Sequence, residues 1–424
     1  MRIQLDKNKF DAALSNRLED RNKAEQYYKG ILTDVTPAKI VGTAKSKYIR
    51  ENYSLEDRDY FFTAFDNVEI GAQVAFDKKD YLVIEGLRIN YCEFKSCQIQ
   101  NIRFVKCSFV GCTFVKSFFN RVCFESCFFS IPFTEDGMMR PEDIRYAPTV
   151  FTDCYFIADF SNCDLDYACF QKNNLISSCF SFCKMDQALF ALCSFSNVTI
   201  KDCKMQGLIV NDADVMEIVF SDELGSIVNE ETFIDPYIHT SNSRGEIRTA
   251  SNLLVENYAE MLLRKAKTLR AVANLFEGNN YSNLGGEYYY HSKLIERKSL
   301  PLGKRIFSNC VWVICGYGER PINTLICIAV SIILFAIAYL FTGFQIGQEI
   351  ISLSKLIESN VEVMELAKAF GHSMFFSVTT FSTVGYGNYV PIGAMSLIIS
   401  GVQMLVGVSL TALWTGCIFR KITR

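Results

Sequence analysis

From Ala369 to Phe419 this 424-residue chain has no aspartate, glutamate, lysine or arginine, and from Pro321 to Gln348 it has none either. Stretches that long without charge are not a solvated surface. Leu325 to Phe344 alone is about the length that crosses roughly 30 Å of hydrocarbon as a helix. The second stretch is too long for one span. It fits a short re-entrant helix, a turn and a second span from about Gly393 to Phe419, because non-helical backbone at membrane depth is tolerated only where it lines a cavity. A buried helical hairpin in a water-soluble protein is the competing reading.

Other absences remove whole classes of function. Histidine occurs three times, as His239, His291 and His372, and no two cysteines form a Cys-x-x-Cys pair, so the usual zinc arrangements are missing. No arginine-rich helix accompanies the spans, which excludes voltage sensing of the usual type. A formal net charge of −3 supplies no basic field for nucleic acid. Met1 to Lys9 lacks an apolar core behind its positive charges, so no cleaved secretory signal is expected. Five residues follow Phe419, and no regulatory domain is expected behind the second span.

Within the uncharged C-terminal stretch stand Thr383-Val384-Gly385-Tyr386-Gly387. Gly385 and Gly387 reach backbone conformations that a side chain makes costly, so consecutive carbonyls can turn to one side. Four copies around an axis would replace the water shell of a potassium ion with carbonyl oxygens, and Thr383 adds a hydroxyl at the inner end. In front lies Phe370 to Ser382, uncharged and aromatic, long enough for a short helix. Behind, Asn388-Tyr389-Val390-Pro391 turns the chain into the next segment.

The order Phe-Ser-Val-x-Thr-Phe-Ser-Thr-Val-Gly-Tyr-Gly-x-x-x-Pro resembles the pore loop of the potassium channel superfamily. The resemblance implies a homotetramer in which potassium passes the carbonyls of Thr383, Val384, Gly385 and Tyr386 and the Thr383 hydroxyl. The family usually has aspartate directly after the filter, where this chain has Asn388. Thr379 occupies the pore-helix position where some relatives carry glutamate. Thr379 and Asn388 are expected to support the filter, Asn388 by a neutral hydrogen bond, and without the carboxylate conductance is expected to depend little on external pH. Counted from Pro391, Gly407 falls at the inner-helix glycine hinge of the simplest two-span channels. A bend is therefore expected at Gly407 and helix packing at Gly401.

Flanking charge sets the expected orientation. Lys293, Arg297, Lys298, Lys304, Arg305 and Arg320 precede the first span, while Arg420, Lys421 and Arg424 follow the second. By the positive-inside rule both termini are cytoplasmic. The loop between carries Glu349, Glu358, Glu362 and Glu365 against Lys355 and Lys368, as an external turret would. Its acidity either concentrates cations at the mouth or simply solvates the loop.

The N-terminal region repeats every five residues. Large apolar side chains recur at Ile84, Ile89, Phe94, Ile99, Phe104, Phe109, Phe114, Phe119, Phe124 and Phe129, then in another phase from Phe160 through Leu165 and Phe170 to Phe220. Neither a helix nor a flat strand has that period. Small residues sit two positions earlier, among them Cys92, Cys97, Cys107, Ala158, Cys163 and Cys193. This pattern is similar to the pentapeptide-repeat family, and the resemblance implies a right-handed, four-sided parallel β-helix with both positions pointing inward. It spans Ile84 to Phe220, broken near Ile131 to Val150 by Pro132, Pro141 and Pro148. Thirteen of the 17 cysteines fall there, in the interior register, where cysteine acts as a small apolar filler. Some members mimic DNA through an acidic face, but 16 acidic against 12 basic residues from Ile84 to Phe220 is a weak excess.

The expected organisation is multidomain: an α/β cap over residues 1–80, a β-helix over 81–222, an α-helical connector over 223–302 and an interfacial helix over 303–320. An all-α pore domain over 321–424 follows. The last comprises a first span 321–344, a re-entrant pore helix 370–382, the filter 383–387 and a second span 393–419. Leu254, Tyr258, Leu262 and Leu269 share helical spacing, and a second helix is expected from Gly286 to Lys298 after Gly278-Asn279-Asn280-Tyr281. Glu287 to Lys298 and Cys315 to Pro321 resemble connectors in bacterial pentapeptide-repeat channels. Lys304 to Val313 alternates basic and apolar residues, suiting either an interfacial helix or a plain overhang of the first span.

The reading is thus a potassium channel of an inner membrane rather than an enzyme. Potassium is its only implied ion, and the bilayer and three further copies are its partners. An unidentified cytoplasmic ligand or protein would act on the β-helix. A membrane-anchored scaffold and a poorly selective cation channel are the alternatives.

Overall fold

The structure, a computed structural model, describes residues 7–43, 50–134, 144–215, 217–235, 258–358 and 363–423. Met1, Pro141, His239, Leu254, Glu362 and Arg424, named above, lie outside them. The chain divides into two compact units, Met1–Ser299 and Leu300–Arg424.

In the first unit the five-residue period becomes a parallel β-helix of four sides. Phe170 pairs with Phe190 and then Val210, and Phe160 with Phe180 and then Ile200, so each coil takes twenty residues, or four sides of five. The register follows from sterics. A left-handed residue turns the chain at each corner, recurring at Lys172, Ser177, Phe182, Gln187, Leu192 and Asn197. Each such turn is strained for a residue with a side chain, and the parallel backbone pairing on every side offsets the strain. Inside, Phe65, Phe94, Phe114, Phe151, Phe170 and Phe190 stack in one column with successive ring centroids 4.4–4.9 Å apart. Burying each ring contributes on the order of 2–3 kcal/mol.

Ten of the thirteen cysteines of the repeat region, from Cys92 to Cys203, fill interior positions between these rings; the other three depart from the expected register, Cys123 and Cys179 being only half-buried and Cys169 facing outward. All 17 are free. Interior thiols point at carbonyls of the coil below, as Cys154 does at Phe114 O (3.3 Å) and Cys193 at Phe170 O (3.4 Å). Burial pushes the thiols of Cys154 and Cys193 up to about 12, so they stay protonated fillers.

The β-helix begins earlier and ends later than expected. Strands at Lys39–Val41, Ala64–Asp66 and Val68–Gly71 already stack on the coils that follow, and Phe233–Ile234 closes the last coil against Ile209–Asn211. Tyr60, Phe65 and Ile70 keep the five-residue spacing. A fourteen-residue step to Ile84, filled by a loop tied back through Lys78 to Asp159 (2.6 Å) and Arg121 to Ala75 O (2.8 Å), hides their phase.

The cap is also different. Helix α1 (Lys7–Ile31) lies along the side of the coils, not over their end. Its Phe10, Leu14 and Leu18 cover outward-facing Val150, Cys169, Leu189 and Ala191, apolar residues that would otherwise face water. The end is closed at the other terminus of the unit by α2 (Tyr258–Gly278) and α3 (Ser282–Ser299), the expected helical hairpin. Leu269, Val272, Phe276 and Tyr288 are buried on the last coil. Their polar atoms meet the orphan edge: Ile234 N donates to Tyr288 Oη (3.0 Å), Val228 N to Asn279 Oδ1 (3.2 Å) and Ile218 N to Thr268 Oγ1 (3.3 Å). That is how an open sheet end avoids leaving unpaired donors.

The second unit is helical. Helix α4 (Leu302–Cys315) ends at Gly316 in a left-handed cap, α5 (Pro321–Thr342) starts with proline in its first turn, and α6 (Leu353–Glu358) and α7 (Val363–Phe381) follow. Helix α8 (Gly393–Ile422) completes it. Among the described residues α5 and α8 are long and apolar enough to cross a membrane. The turret, read as a loop, contains a small antiparallel sheet of Phe344–Ile346, Glu349–Ile351 and Tyr389–Pro391. The pore helix starts at Val363 instead of 370, because Glu365 and Lys368 prolong it into the turret.

Candidate ion-conduction site

Helix α7 delivers the chain to Thr383. Its last carbonyls hold the segment that follows: Thr383 N donates to Thr380 O (3.1 Å), and Val384 N and Gly385 N both donate to Thr379 O (3.1 and 3.4 Å). Past that point the backbone alternates. Thr383, Gly385 and Gly387 have φ of 58°, 53° and 76°, while Val384 and Tyr386 are not left-handed. Alternation of hand gathers N–H groups on one side and turns carbonyls to the other. For Gly385 and Gly387 this costs little, whereas a β-branched threonine there is strained, and such strain concentrates at functional sites.

The segment Thr383–Gly387 is exposed in the single chain. Val384 and Tyr386 are 56% and 66% exposed in the single chain. The Thr383 hydroxyl donates its proton back to Ser382 O (2.7 Å), which leaves its oxygen lone pairs available to a cation. Helix α7 ends here, so the negative end of its dipole lies under the filter, and no charged side chain occurs between Ala369 and Phe419 to counter it.

Thr379 holds the backbone of Val384 and Gly385 through its carbonyl, since its hydroxyl donates within α7 to Phe376 O (3.0 Å). Asn388 is exposed and makes no hydrogen bond among the described residues. The outer end is held instead by Tyr389, which sequence reasoning missed. Its hydroxyl meets His372 Nδ1 at 3.0 Å, and its ring packs on Phe375 and Phe376 (centroids 5.1 and 6.1 Å). An aromatic two residues past the filter, beside an aromatic-rich pore helix, was the available signal.

The two glycines of the second span sit differently from what was expected of them. Gly407 is buried, and a Cβ there would stand 2.2 Å from Phe381 O, so it serves close packing against the end of the pore helix. Helix α8 runs unbroken through it. Gly401 meets nothing of its own chain within 4 Å. Four residues before Gly407, Gln403 is fully buried among α5, α7 and α8, a second feature that pattern reading passed over.

The comparisons with known proteins agree with this division. A family described as ion channel matches residues 349–424, and a family described as pentapeptide repeats (8 copies) matches residues 158–191. The chain therefore joins an ion-channel domain to pentapeptide repeats. Among solved structures, the chain is similar to a trypsin-treated form of QnrB1, a plasmid-mediated fluoroquinolone resistance protein, at 15% identity over 38% of this chain and 92% of that one (TM-score 0.16). It is also similar to HetL, a pentapeptide repeat protein involved in heterocyst differentiation regulation in the cyanobacterium Nostoc, at 12% identity over 42% and 80% (TM-score 0.14). Neither likeness carries an argument about activity. No curated protein matches the chain.

Proposed function

We propose that four copies of this chain form a potassium-selective channel in an inner membrane, conducting passively through the carbonyls of Thr383, Val384, Gly385 and Tyr386. The observation that carries this reading is the alternation of left-handed φ at Thr383, Gly385 and Gly387 directly beyond the C-terminus of α7. One filter strand cannot surround an ion. Four around an axis supply rings of oxygens that match a lost hydration shell. Apolar exposure along α8 supports a pore built from several copies in lipid, with Leu397, Ile398 and Leu405 all more than half exposed.

The charge bias around the spans supports cytoplasmic termini. On that orientation the β-helix is cytoplasmic, and a ligand or protein acting on it would set the gate. Uptake of potassium, sodium and lithium into proteoliposomes tests the reading. Potassium uptake well above sodium is expected, and Gly385→Ala should abolish it. Equal uptake of all three would leave a poorly selective cation channel, and no uptake would leave a membrane-anchored scaffold.

A further inference from the structure

The α8 span carries a single long amide, Gln403, whose oxygen and nitrogen are both hydrogen-bonded to the neighbouring helices. Its Oε1 accepts from the Tyr339 hydroxyl of α5 at 2.7 Å, and its Nε2 donates to Ser377 O at 3.0 Å and Ser377 Oγ at 2.7 Å on α7. Ser377 Oγ in turn donates to Ile332 O of α5 at 2.7 Å. One turn further along α8, on the same face, Gly407 admits the Phe381 backbone. Polar groups so placed in an apolar span are costly to leave unpaired, so the set holds α7 to one position.

We propose that Gln403 is a positioning residue for the filter and, through it, a determinant of ion discrimination; this rests on the potassium reading above. The path is short. Gln403 and Gly407 fix the height and depth of α7, and Thr379, two residues past Ser377, passes that position to Val384 and Gly385 through its carbonyl. Discrimination between potassium and sodium depends on the number and spacing of carbonyls offered to the ion. A slip of α7 on α8 shifts those carbonyls without changing any residue of the filter.

The test is the potassium-to-sodium uptake ratio of assembled channels in proteoliposomes. Gln403→Met keeps the volume and removes every hydrogen bond, and the ratio should fall about tenfold while uptake persists. Gln403→Glu, uncharged in that setting, retains an acceptor and one donor and should stay within about threefold of the native ratio. Tyr339→Phe removes one oxygen, keeps the ring against Phe376 (centroids 4.4 Å) and should fall between the two. A native ratio in assembled Gln403→Met overturns the inference; if that variant does not assemble, a native ratio in Tyr339→Phe does so. Unmutated protein that passes both ions equally overturns the potassium reading, and this one with it.

Discussion

The β-helix and the channel unit spend similar apolar residues in opposite ways. In the β-helix, side chains at the five-residue positions are almost wholly buried within one chain, from Phe65 and Phe94 through Phe190, and each coil's backbone is answered by the next. In the channel unit, Met395, Leu397, Ile398 and Leu405 face outward and the Thr383–Gly387 segment is exposed. The first unit completes its interactions alone. The second is saturated only along the seam of α5, α7 and α8, and leaves the rest of its apolar surface exposed.

That contrast can be broken from either side. The largest effect is expected from Phe151→Ala, which empties a fully buried site between Phe114 and Phe170 and should cost about 3–5 kcal/mol, read as a lower unfolding midpoint of the β-structure by circular dichroism. A midpoint unchanged by that cavity would mean that the phenylalanine column does not hold the coils. Next comes Gly407→Ala: its Cβ meets the Phe381 backbone, so strain of about 1–3 kcal/mol should displace α7 and abolish cation uptake while β-helix unfolding is unchanged. Uptake at the native level would show that the seam is more tolerant than its geometry indicates.

Smaller changes sharpen the comparison. Arg420 Nη2 and Glu319 Oε1 stand 2.9 Å apart, tying the end of α8 to the bend before α5. Glu319→Gln should cost about 1 kcal/mol or less of stability. It should nonetheless alter the open fraction in single-channel records, and the reversed pair of Glu319→Arg with Arg420→Glu should restore it. The smallest effect is a pH dependence in the β-helix. Burial, then the neighbouring carboxylates of Asp164 and Asp186, push Asp166 up to about 6. A carboxyl held above its unfolded value favours the folded state when protonated, so this contribution is present below about pH 4 and lost as pH rises through about 6. Asp166→Asn should raise the unfolding midpoint slightly at pH 7 and flatten its slope between pH 4 and 6. A slope that survives the substitution assigns it to another group.

Much of this was legible from residue order, for different reasons in the two units. Pentapeptide phase is local: each large residue and the small one two before it declare the same interior, so Cys163, Cys193 and the phenylalanines from Phe94 to Phe129 and from Phe160 to Phe195 could be placed without coordinates, whereas Cys154, Phe151 and Phe156, between the two runs, could not. Tyr60, Phe65 and Ile70 escaped because an inserted loop shifted their phase, and α1 escaped because the face it covers exists only after the coils stack. In the channel unit the Thr383–Gly387 segment stood out by its spacing, but what it packs against did not. Tyr389, Gln403 and the tight contact at Gly407 depend on which helix faces meet, and helical period leaves that undetermined.

By itself, the sequence determined what is periodic or uncharged: a five-residue β-helix, two apolar spans and a Thr-Val-Gly-Tyr-Gly turn between them. Tertiary structure alone decided that Gly407 packs against the Phe381 backbone within an unbroken helix, that Asn388 makes no hydrogen bond among the described residues while Tyr389 meets His372, and that helices close the final coil. The physical reason is one of range. Periodicity and charge act over a few residues, whereas the partner of a buried amide, a glycine or an unpaired strand edge is chosen by elements tens of residues away.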